Sequence, residues 1–142
     1  MRKVSDILRR KGHNVTTVLP SFTVIDALHM MADQNIGSVV VAENGKFLGI
    51  MTERDYSRKV ILKGRSSTDT TVGEIMTTDF PSVAASDTVE HCMELMSSQN
   101  LRYLPVMNGI FLAGIISIND VVTETILTHE ETISHLQNYI QS

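Results

Sequence analysis

One sequence pattern occurs twice in this chain, and the duplication constrains the fold more than any other feature. Residues 49–55 read Gly-Ile-Met-Thr-Glu-Arg-Asp, and residues 114–120, which begin 65 positions later, read Gly-Ile-Ile-Ser-Ile-Asn-Asp. Each copy runs from apolar residues typical of a strand into a hydroxyl residue, and a carboxylate follows three residues later at the start of a helical pattern. We therefore expect two similar halves, each with a strand-to-helix junction.

A junction of this kind has two chemical interpretations, and the residues alone leave both open. In a capping box, the hydroxyl and the carboxylate satisfy backbone N–H groups at the helix start and have no further role. Alternatively, the free N–H groups and partial positive charge of the helix start receive a phosphate. The carboxylate would then accept hydrogen bonds from sugar hydroxyls. Nucleotides carry both a phosphate and a diol.

The first half predicts a regular series of elements. Hydrophobic spacing, caps and turn residues predict a helix at 4–11, an extended segment at 15–19, a helix at 24–35, strands at 38–42 and 47–51, and a helix at 52–62. The two strands are predicted to be antiparallel, because Asn44-Gly45 suits a tight hairpin turn. A polar linker is expected at 63–71.

The second half repeats this series. The apolar face of the long helix, formed by Val24, Ala27, Leu28 and Met31, recurs 65 residues later at Val89, Cys92, Met93 and Met96. The second Asn-Gly pair, at 108–109, is one position out of register with the first, which predicts a one-residue indel at that loop tip. A helical pattern then continues almost to the C-terminus through Val121, Val122, Ile126, Ile133, Leu136 and Ile140. We expect its outward apolar residues to need a partner surface.

Composition places the chain among ordinary globular proteins. With 142 residues, 42% hydrophobic and 20% charged, it fits one compact domain or two small intertwined ones. It has neither a membrane-length apolar run nor a secretory pattern, so a cytoplasmic location without membrane attachment is expected. Its single cysteine, Cys92, lies on the apolar helical stripe and is predicted to be a buried structural thiol.

The charge distribution is uneven. Net charge is −4, which argues against general nucleic-acid binding. Ten of the twelve Lys and Arg residues fall within 2–11 and 54–65, and Arg102 is the sole cation after Ser66. We interpret the run at 54–65 as a solvated helix face with an Asp55–Lys59 pair rather than a nucleic-acid surface.

Enzymatic function is not indicated by any residue pattern. The histidines offer no pair at helical i, i+4 spacing, and residues 129–133, His-Glu-Glu-Thr-Ile, lack the second histidine of a zinc protease motif. No nucleophile lies near a plausible base in the predicted layout. The chain is therefore expected to have no catalytic residue and no metal site.

With both copies of the pattern in view, the sequence resembles a tandem CBS-domain protein, or Bateman module, of the small stand-alone type. The resemblance extends from Val4 to about Thr128 and rests on the Gly-apolar-apolar-Ser/Thr-x-x-Asp signature that follows each Asn-Gly hairpin. It implies an α+β fold of two pseudo-symmetric repeats, at 1–66 and 67–142. Each repeat would have a short strand, a helix, an antiparallel hairpin and a helix, and the second would add an extended C-terminal helix.

The resemblance also implies two clefts that bind adenosyl ligands. One predicted cleft comprises Ile50, Thr52, Arg54, Asp55, Ser82, Val83, Leu101, Arg102 and Tyr103. The other comprises Ile115, Ser117, Asn119, Asp120, Thr16, Thr17, Ile36, Gly37 and Ser38. The expected roles are isoleucine against the purine, aspartate on the ribose hydroxyls, and the hydroxyl residue on phosphate. Because Arg102 would pair with phosphate, the cleft of Asp55 is expected to be the tighter.

The function expected from the resemblance is regulatory. The chain would bind an adenosyl nucleotide of the AMP, ATP or NAD class, use no catalytic cofactor and signal to an unidentified protein partner. A homodimer is predicted from the duplicated apolar stripes and the long terminal helix. Neither nucleic acid nor membrane is an expected partner. The alternative is a CBS pair that acts as an interaction module without any ligand.

Overall fold

The structure of the chain, a computed structural model, describes residues 2–141, and in the last helix it describes no side chain at 132, 135, 136 or 139–141. The predicted positions Leu136 and Ile140 therefore lie outside the described side chains. The chain divides into two compact units. The first comprises residues 15–80, and the second comprises the residues before and after that range.

Both halves contain the predicted helices and hairpin strands, whereas the short strand predicted for each repeat is present in the first half and reduced to an isolated bridge at Val83 in the second. In chain order, the helices are α1 (Val4–Lys11), α2 (Val24–Gln34), α3 (Glu53–Tyr56), α4 (Val72–Ile75), α5 (Val89–Gln99) and α6 (Ile118–Gln141). The strands are β1 (Thr17–Val18), β2 (Ser38–Glu43), β3 (Lys46–Thr52), β4 (Tyr103–Asn108) and β5 (Phe111–Ser117). The helix predicted at 52–62 differs in detail, since α3 continues as a π-helical segment, Ser57–Ile61. The mixed helix and strand fold is confirmed.

The first unit is a three-stranded sheet covered by α2. Strand β1 pairs in parallel with β2, and β2 pairs antiparallel with β3. Thr23 caps α2 by accepting a hydrogen bond from the Asp26 N–H group, and Asn35 ends the helix in the left-handed conformation. The predicted apolar stripe of α2 packs into the core through Val24 and Met31.

The second unit repeats this arrangement. Strands β4 and β5 pair antiparallel, and Val83 bridges Val106 in parallel at the position that β1 has in the first unit. Cys92 is fully buried in the core, as predicted. Its burial, with a smaller contribution from the charge of Asp87, raises the pKa of the Cys92 thiol to about 11, so this thiol stays protonated and unreactive at neutral pH.

The segment that opens each sequence repeat packs in the unit formed by the other repeat, and we call these two segments, α1 and α4 with residues 76–77, the exchanged segments. Val4, Ile7 and Leu8 of α1 belong to the core of the second unit, whereas Val72 and Ile75 of α4 belong to the core of the first. Helices this short need tertiary packing to form. The boundaries of the compact units therefore differ from the predicted boundary between the repeats, which lies between residues 66 and 67. The limits of the repeats describe the sequence duplication, and they stay a prediction.

The two hairpins have the same backbone register. Each residue pair of the second hairpin lies 65 positions after its counterpart in the first. At the open end, Ser38–Thr52 corresponds to Tyr103–Ser117, and at the turn, Glu43–Lys46 corresponds to Asn108–Phe111. Both hairpins also shift register at the equivalent place, between Val41 and Ala42 and between Val106 and Met107. The predicted indel at the loop tip is therefore wrong.

What differs between the hairpins is the turn chemistry. In the first turn Asn44 and Gly45 both have positive φ, as a type I′ turn requires. In the second turn the two central residues are Gly109 and Ile110, and only Gly109 has positive φ. Glycine at the first central position is the pattern of a type II′ turn. The second Asn-Gly pair thus misled the sequence prediction, because its asparagine is the last residue of a strand.

Candidate functional site

The first junction is a complete capping box at the start of α3. The Thr52 N–H group donates to Asp55 Oδ2 over 2.9 Å, and the Asp55 N–H group donates to Thr52 Oγ1 over 3.0 Å. Both side chains are buried, at 9% exposure for Thr52 and 7% for Asp55. The capping interpretation therefore holds for the first copy of the pattern, and it satisfies two otherwise unpaired backbone donors.

Asp55 has further partners within the first unit. Its Oδ1 atom accepts a 2.8 Å hydrogen bond from the Thr77 hydroxyl and lies 3.0 Å from Lys59 Nζ. Lys59 Nζ also donates to the Ile75 carbonyl and to Thr77 Oγ1, at 2.9 and 3.3 Å. The predicted i, i+4 pair is confirmed. Both oxygens of Asp55 and all three donors of Lys59 are therefore already engaged inside the unit.

The second junction has the same capping box at the start of α6. The Ser117 N–H group donates to Asp120 Oδ2 over 2.8 Å, and the Asp120 N–H group donates to Ser117 Oγ over 3.2 Å. The cation here is Lys11, the last residue of α1, whose Nζ lies 2.8 Å from Asp120 Oδ2 and 2.8 Å from the Ile115 carbonyl oxygen. Among the residues that the structure describes, no hydrogen-bond partner of Asp120 Oδ1 is found.

The ionisation of Asp120 reflects these contacts. Burial alone would raise the pKa of Asp120, but hydrogen bonds from Lys11 and from the Ser117 backbone, together with the Lys11 charge, lower it below its ordinary value. Asp120 is therefore an anion at neutral pH although it is half-buried. It can accept hydrogen bonds and cannot donate one.

The glycine that opens each copy of the pattern has no side chain, so another segment of the same unit can pack closely against the strand at that position. A Cβ atom at Gly49 would lie 2.7 Å from the Thr77 carbonyl oxygen, and one at Gly114 would lie 2.8 Å from Leu8 Cδ2. In the first unit Thr77 also forms an isolated antiparallel bridge with Ile50. Both glycines are therefore explained by the close packing of the exchanged segments, without any role in ligand binding.

Four of the other predicted site residues lie beside the junction of their own unit. In the first unit, the Gly37 carbonyl accepts the N–H group of Glu53 and Ser38 pairs with Thr52. In the second unit, the Arg102 carbonyl accepts the N–H group of Ile118 and Tyr103 pairs with Ser117. The remaining predicted residues are Ile36, Thr16 and Thr17 of the first unit, with Arg54 on α3, and Leu101, Ser82 and Val83 of the second, with Asn119 on α6. The predicted combination of residues from different units stays a prediction.

The predicted purine contacts differ in accessibility. Ile50 is fully buried, whereas Ile115 is half-buried. Of these two isoleucines, Ile115 alone has exposed side-chain surface that a purine could contact in this structure. Ile50 would have to be uncovered first, which costs part of the binding energy.

Lys11 and Thr77 are contacts of the two carboxylates that the sequence did not predict. Both residues belong to exchanged segments, Lys11 at the end of α1 and Thr77 just after α4. The basic end of the opening helix was visible in the sequence. What the sequence did not reveal is that this helix packs against the second half of the chain.

Ion pairs join α1 to α6 beyond Asp120. Glu124 is 1% exposed and accepts a 2.7 Å hydrogen bond from Arg10 Nε through Oε1, while Arg2 pairs with Glu131. Glu124 Oε2 has no hydrogen-bond partner among the described residues and lies 3.7 Å from the Arg2 guanidinium. Glu124 is 65 positions after Lys59, so equivalent positions of the two repeats carry opposite charges.

Neither a metal-binding cluster nor a membrane-spanning helix is found in the described part of the chain. Among them, no group of three or more His, Cys, Asp or Glu side chains is arranged to hold a metal ion. Within the same part of the chain, no helix combines the length and apolar character needed to cross a membrane.

Comparison with known proteins agrees with the geometry of the fold. The relative CBSX3, a mitochondrial CBS domain-containing protein of Arabidopsis thaliana, is 37% identical to the chain over 97% of this chain and 71% of its own length. The structure of a candidate signal-transduction protein with CBS domains from Burkholderia ambifaria MC40-6 is 42% identical, with a TM-score of 0.85, and the match covers 88% of this chain and 94% of that one.

A more distant structure shares the fold. It is a CBS domain pair in complex with 5′-methylthioadenosine and S-adenosyl-L-methionine, 24% identical, with a TM-score of 0.77 and coverage of 88% of this chain and 96% of that one. CBS-domain pair proteins are regulatory modules. The CBS domain family model matches residues 4–61 and 72–126 of this chain. The chain therefore belongs to the CBS domain family and carries two CBS repeats in tandem.

Proposed function

We propose that the chain is a non-catalytic regulatory module that binds an adenosyl nucleotide of the AMP, ATP or NAD class and signals its presence to a partner protein. The observation that carries this proposal is the Ser117–Asp120 junction. Its carboxylate is ionised and half-buried, and its Oδ1 atom has no hydrogen-bond partner among the described residues. An anionic acceptor of this kind suits the hydroxyl groups of a ribose.

The rest of the junction suits the other parts of a nucleotide. Helix α6 begins at Ile118 with its partial positive charge and the Ser117 hydroxyl beside it, and both favour a phosphate. Ile115 is half-buried on the strand that leads into the junction, where it offers apolar surface to a purine. The adenosyl class is supported by the related CBS domain pair that was solved with two adenosyl compounds. The two predicted sets of cleft residues, one around Asp55 and one around Asp120, belong to this proposal.

A homodimer formed through α6 is also part of the proposal. Val122, Ile126 and Ile133 are 43%, 53% and 54% exposed and lie four and seven positions apart, so they share one side of the helix. The homodimer was predicted from the stripes of α2 and α5 together with the long terminal helix, but the stripes pack into the cores of their own units. The support for a dimer therefore comes from α6.

The oligomeric state is tested by light scattering. We expect the mass of a dimer for the wild-type chain and the mass of a monomer for a variant with Val122 and Ile126 both changed to Ser. Leu62→Ser removes a still more exposed apolar residue that is not on α6, and it should leave the dimer intact. A monomeric wild-type chain at micromolar concentration would refute the dimer.

A cytoplasmic location remains part of the proposal. The Arabidopsis relative is named as mitochondrial, so membership of the family alone does not decide the compartment. Fractionation of cells that express the tagged chain from its own gene tests this point.

A second candidate function is an interaction module that binds no nucleotide. The observation that favours it is the Thr52–Asp55 junction, where capping, Thr77 and Lys59 account for both carboxylate oxygens. An aspartate in this position therefore does not by itself indicate a ligand. The distinction between the two functions depends on whether either junction binds a nucleotide in solution.

Calorimetric titration of the full chain with AMP, ATP and NAD, and with GMP as a base control, separates the two candidates. We expect at least one adenosyl compound to bind in preference to GMP, and Asp120→Ala to weaken that binding about ten-fold or more. Glu74→Ala is the matched control, because Thr71 and Glu74 form the same type of capping box in the other unit from Asp120. Absence of binding by all three adenosyl compounds would leave the interaction module as the function.

A further inference from the structure

We propose that Lys11 is a ligand-binding residue of the Ser117–Asp120 junction, where its ammonium group binds the phosphate of the nucleotide. This inference rests on the proposed function and assigns the phosphate contact of that site. Lys11 lies more than one hundred positions away from Asp120 in the sequence and belongs to α1, so no motif of the junction includes it.

The contacts of Lys11 leave one of its donors available. A lysine ammonium group carries three N–H donors. Lys11 directs two of them to the Ile115 carbonyl oxygen and to Asp120 Oδ2, each over 2.8 Å. No third partner is found among the residues that the structure describes, and the Lys11 side chain is 32% exposed. Two contacts thus hold the ammonium group in place, and its third donor has no partner in the described part of the chain.

The same carboxylate that holds Lys11 has an available acceptor. Asp120 binds Lys11 and the Ser117 N–H group through Oδ2, and its other oxygen, Oδ1, makes no hydrogen bond within the described part of the chain. A cationic donor and an anionic acceptor therefore lie side by side. A ligand that carries a phosphate near a sugar hydroxyl satisfies both, and a nucleoside without phosphate satisfies only the acceptor.

The first junction does not have this arrangement. Lys59 uses its three donors on Asp55, Ile75 and Thr77, so no donor remains for a ligand. The family resemblance implied that Arg102 contacts the phosphate, and tighter binding was therefore predicted in the cleft of Asp55. That comparison did not include Lys11, which gives the Asp120 junction a cation of its own. Because of Lys11, a phosphate-bearing ligand should bind more tightly at the Asp120 junction than at the Asp55 junction.

Calorimetry of the full chain with AMP and with adenosine tests the contact, because the two probes differ only in the phosphate. We expect the wild-type chain to bind AMP more tightly than adenosine. In Lys11→Met, AMP affinity should fall about ten-fold or more while adenosine affinity changes little, so the preference for AMP is lost. Lys11→Arg, which keeps the charge, should retain most of the preference.

Arg10→Met is the matched control. It removes the neighbouring ion pair between α1 and α6, at Glu124, and therefore loosens the same helix without touching the junction. We expect it to keep the wild-type ratio of AMP to adenosine affinity. If Lys11→Met does not fold, Lys11→Gln supplies the comparison, since its amide can still donate to Ile115 and Asp120 without a positive charge.

The outcomes separate this inference from the proposed function. A wild-type chain that binds AMP, together with an uncharged Lys11 variant that keeps the wild-type AMP to adenosine ratio, overturns the role of Lys11 and leaves the proposed function intact. A wild-type chain that binds neither AMP nor adenosine overturns the role of Lys11. If ATP and NAD also fail to bind, the proposed function falls with it.

Discussion

The Thr52–Asp55 and Ser117–Asp120 junctions share their backbone and differ in their charge partners. Both are capping boxes at the end of a strand with the same hairpin register. In the first, the cation Lys59 comes from the same helical segment, four residues after the aspartate. In the second, the cation Lys11 comes from the opposite end of the chain.

The difference separates what local sequence determines from what packing determines. A capping box depends on residues three positions apart, so duplicated sequences reproduce it. A partly buried carboxylate also needs a neutralising partner, and any element that packs nearby can supply one. In the first unit Lys59 uses all three of its donors, whereas in the second one donor of Lys11 has no partner among the residues described. The duplicated signature therefore does not imply two equivalent binding sites.

The largest expected effect comes from exchanging the charges that distinguish the two units. Glu124→Lys gives the second unit the residue found at the equivalent position of the first, Lys59. It places a buried cation beside Arg10 and Arg2, and breaking a buried ion pair in this way should lower the free energy of unfolding by about 3–5 kcal/mol. Urea denaturation measures the loss.

Two further variants control for this prediction. Glu124→Gln keeps the shape and one acceptor, so its loss should be smaller, about 1–3 kcal/mol. Lys59→Glu makes the reciprocal change at a side chain that is 43% exposed, and solvent screening should keep its cost below that of Glu124→Lys. If Glu124→Lys and Lys59→Glu lowered the free energy of unfolding equally, the proposed difference between the buried ion pair of the second unit and the more exposed one of the first would be contradicted.

The next effect compares the two signature glycines. Gly49→Ala would press its methyl group against the backbone carbonyl of Thr77, whereas Gly114→Ala would meet the end of the Leu8 side chain, which can move. We expect Gly49→Ala to cost about 1–3 kcal/mol of unfolding free energy and Gly114→Ala to cost less. Thermal and urea unfolding of both variants measure this, and a larger loss at Gly114 would show that the exchanged segments pack differently.

Most of the fold could be predicted from the sequence, because its signals are local. The cap at Thr23, the left-handed Asn35 that ends α2 and the period of α6 each depend on a few neighbouring residues. The partners of α1 and α4 could not be predicted, because the pattern of a short apolar face does not specify which half of a duplicated chain it packs against. Lys11 was missed for the same reason. No sequence pattern indicated the π-helical segment Ser57–Ile61.

A smaller effect is the pH dependence of the Lys11–Asp120 pair in the second junction. Because Lys11 helps to lower the pKa of Asp120, the folded state gains stability that is present above the ordinary carboxyl range, about pH 4, and is lost as pH falls through the lowered pKa. Lys11→Met should therefore cost about 0.5–1 kcal/mol of unfolding free energy near neutral pH, and the cost should shrink in acid, where only the hydrogen bond to the Ile115 carbonyl is still lost. Urea denaturation at a series of pH values measures it. If wild type and Lys11→Met differed in unfolding free energy as much at about pH 2 as at neutral pH, the cost could not be attributed to the Lys11–Asp120 pair.

The smallest effect tests the register of the two hairpins. Replacing Gly109 by Asn and Ile110 by Gly transplants the first turn into the second hairpin, converting a type II′ pattern into type I′. Because the strand pairs on both sides are equivalent, the double variant should change the free energy of unfolding by no more than about 0.5 kcal/mol, and Ile110 is 84% exposed, so no core contact is lost. If the turn were instead centred on Asn108 and Gly109, the transplant would shift the strand register by one residue and turn core side chains toward solvent. Urea denaturation would then show a loss of several kcal/mol, so the size of this one change decides between the two registers.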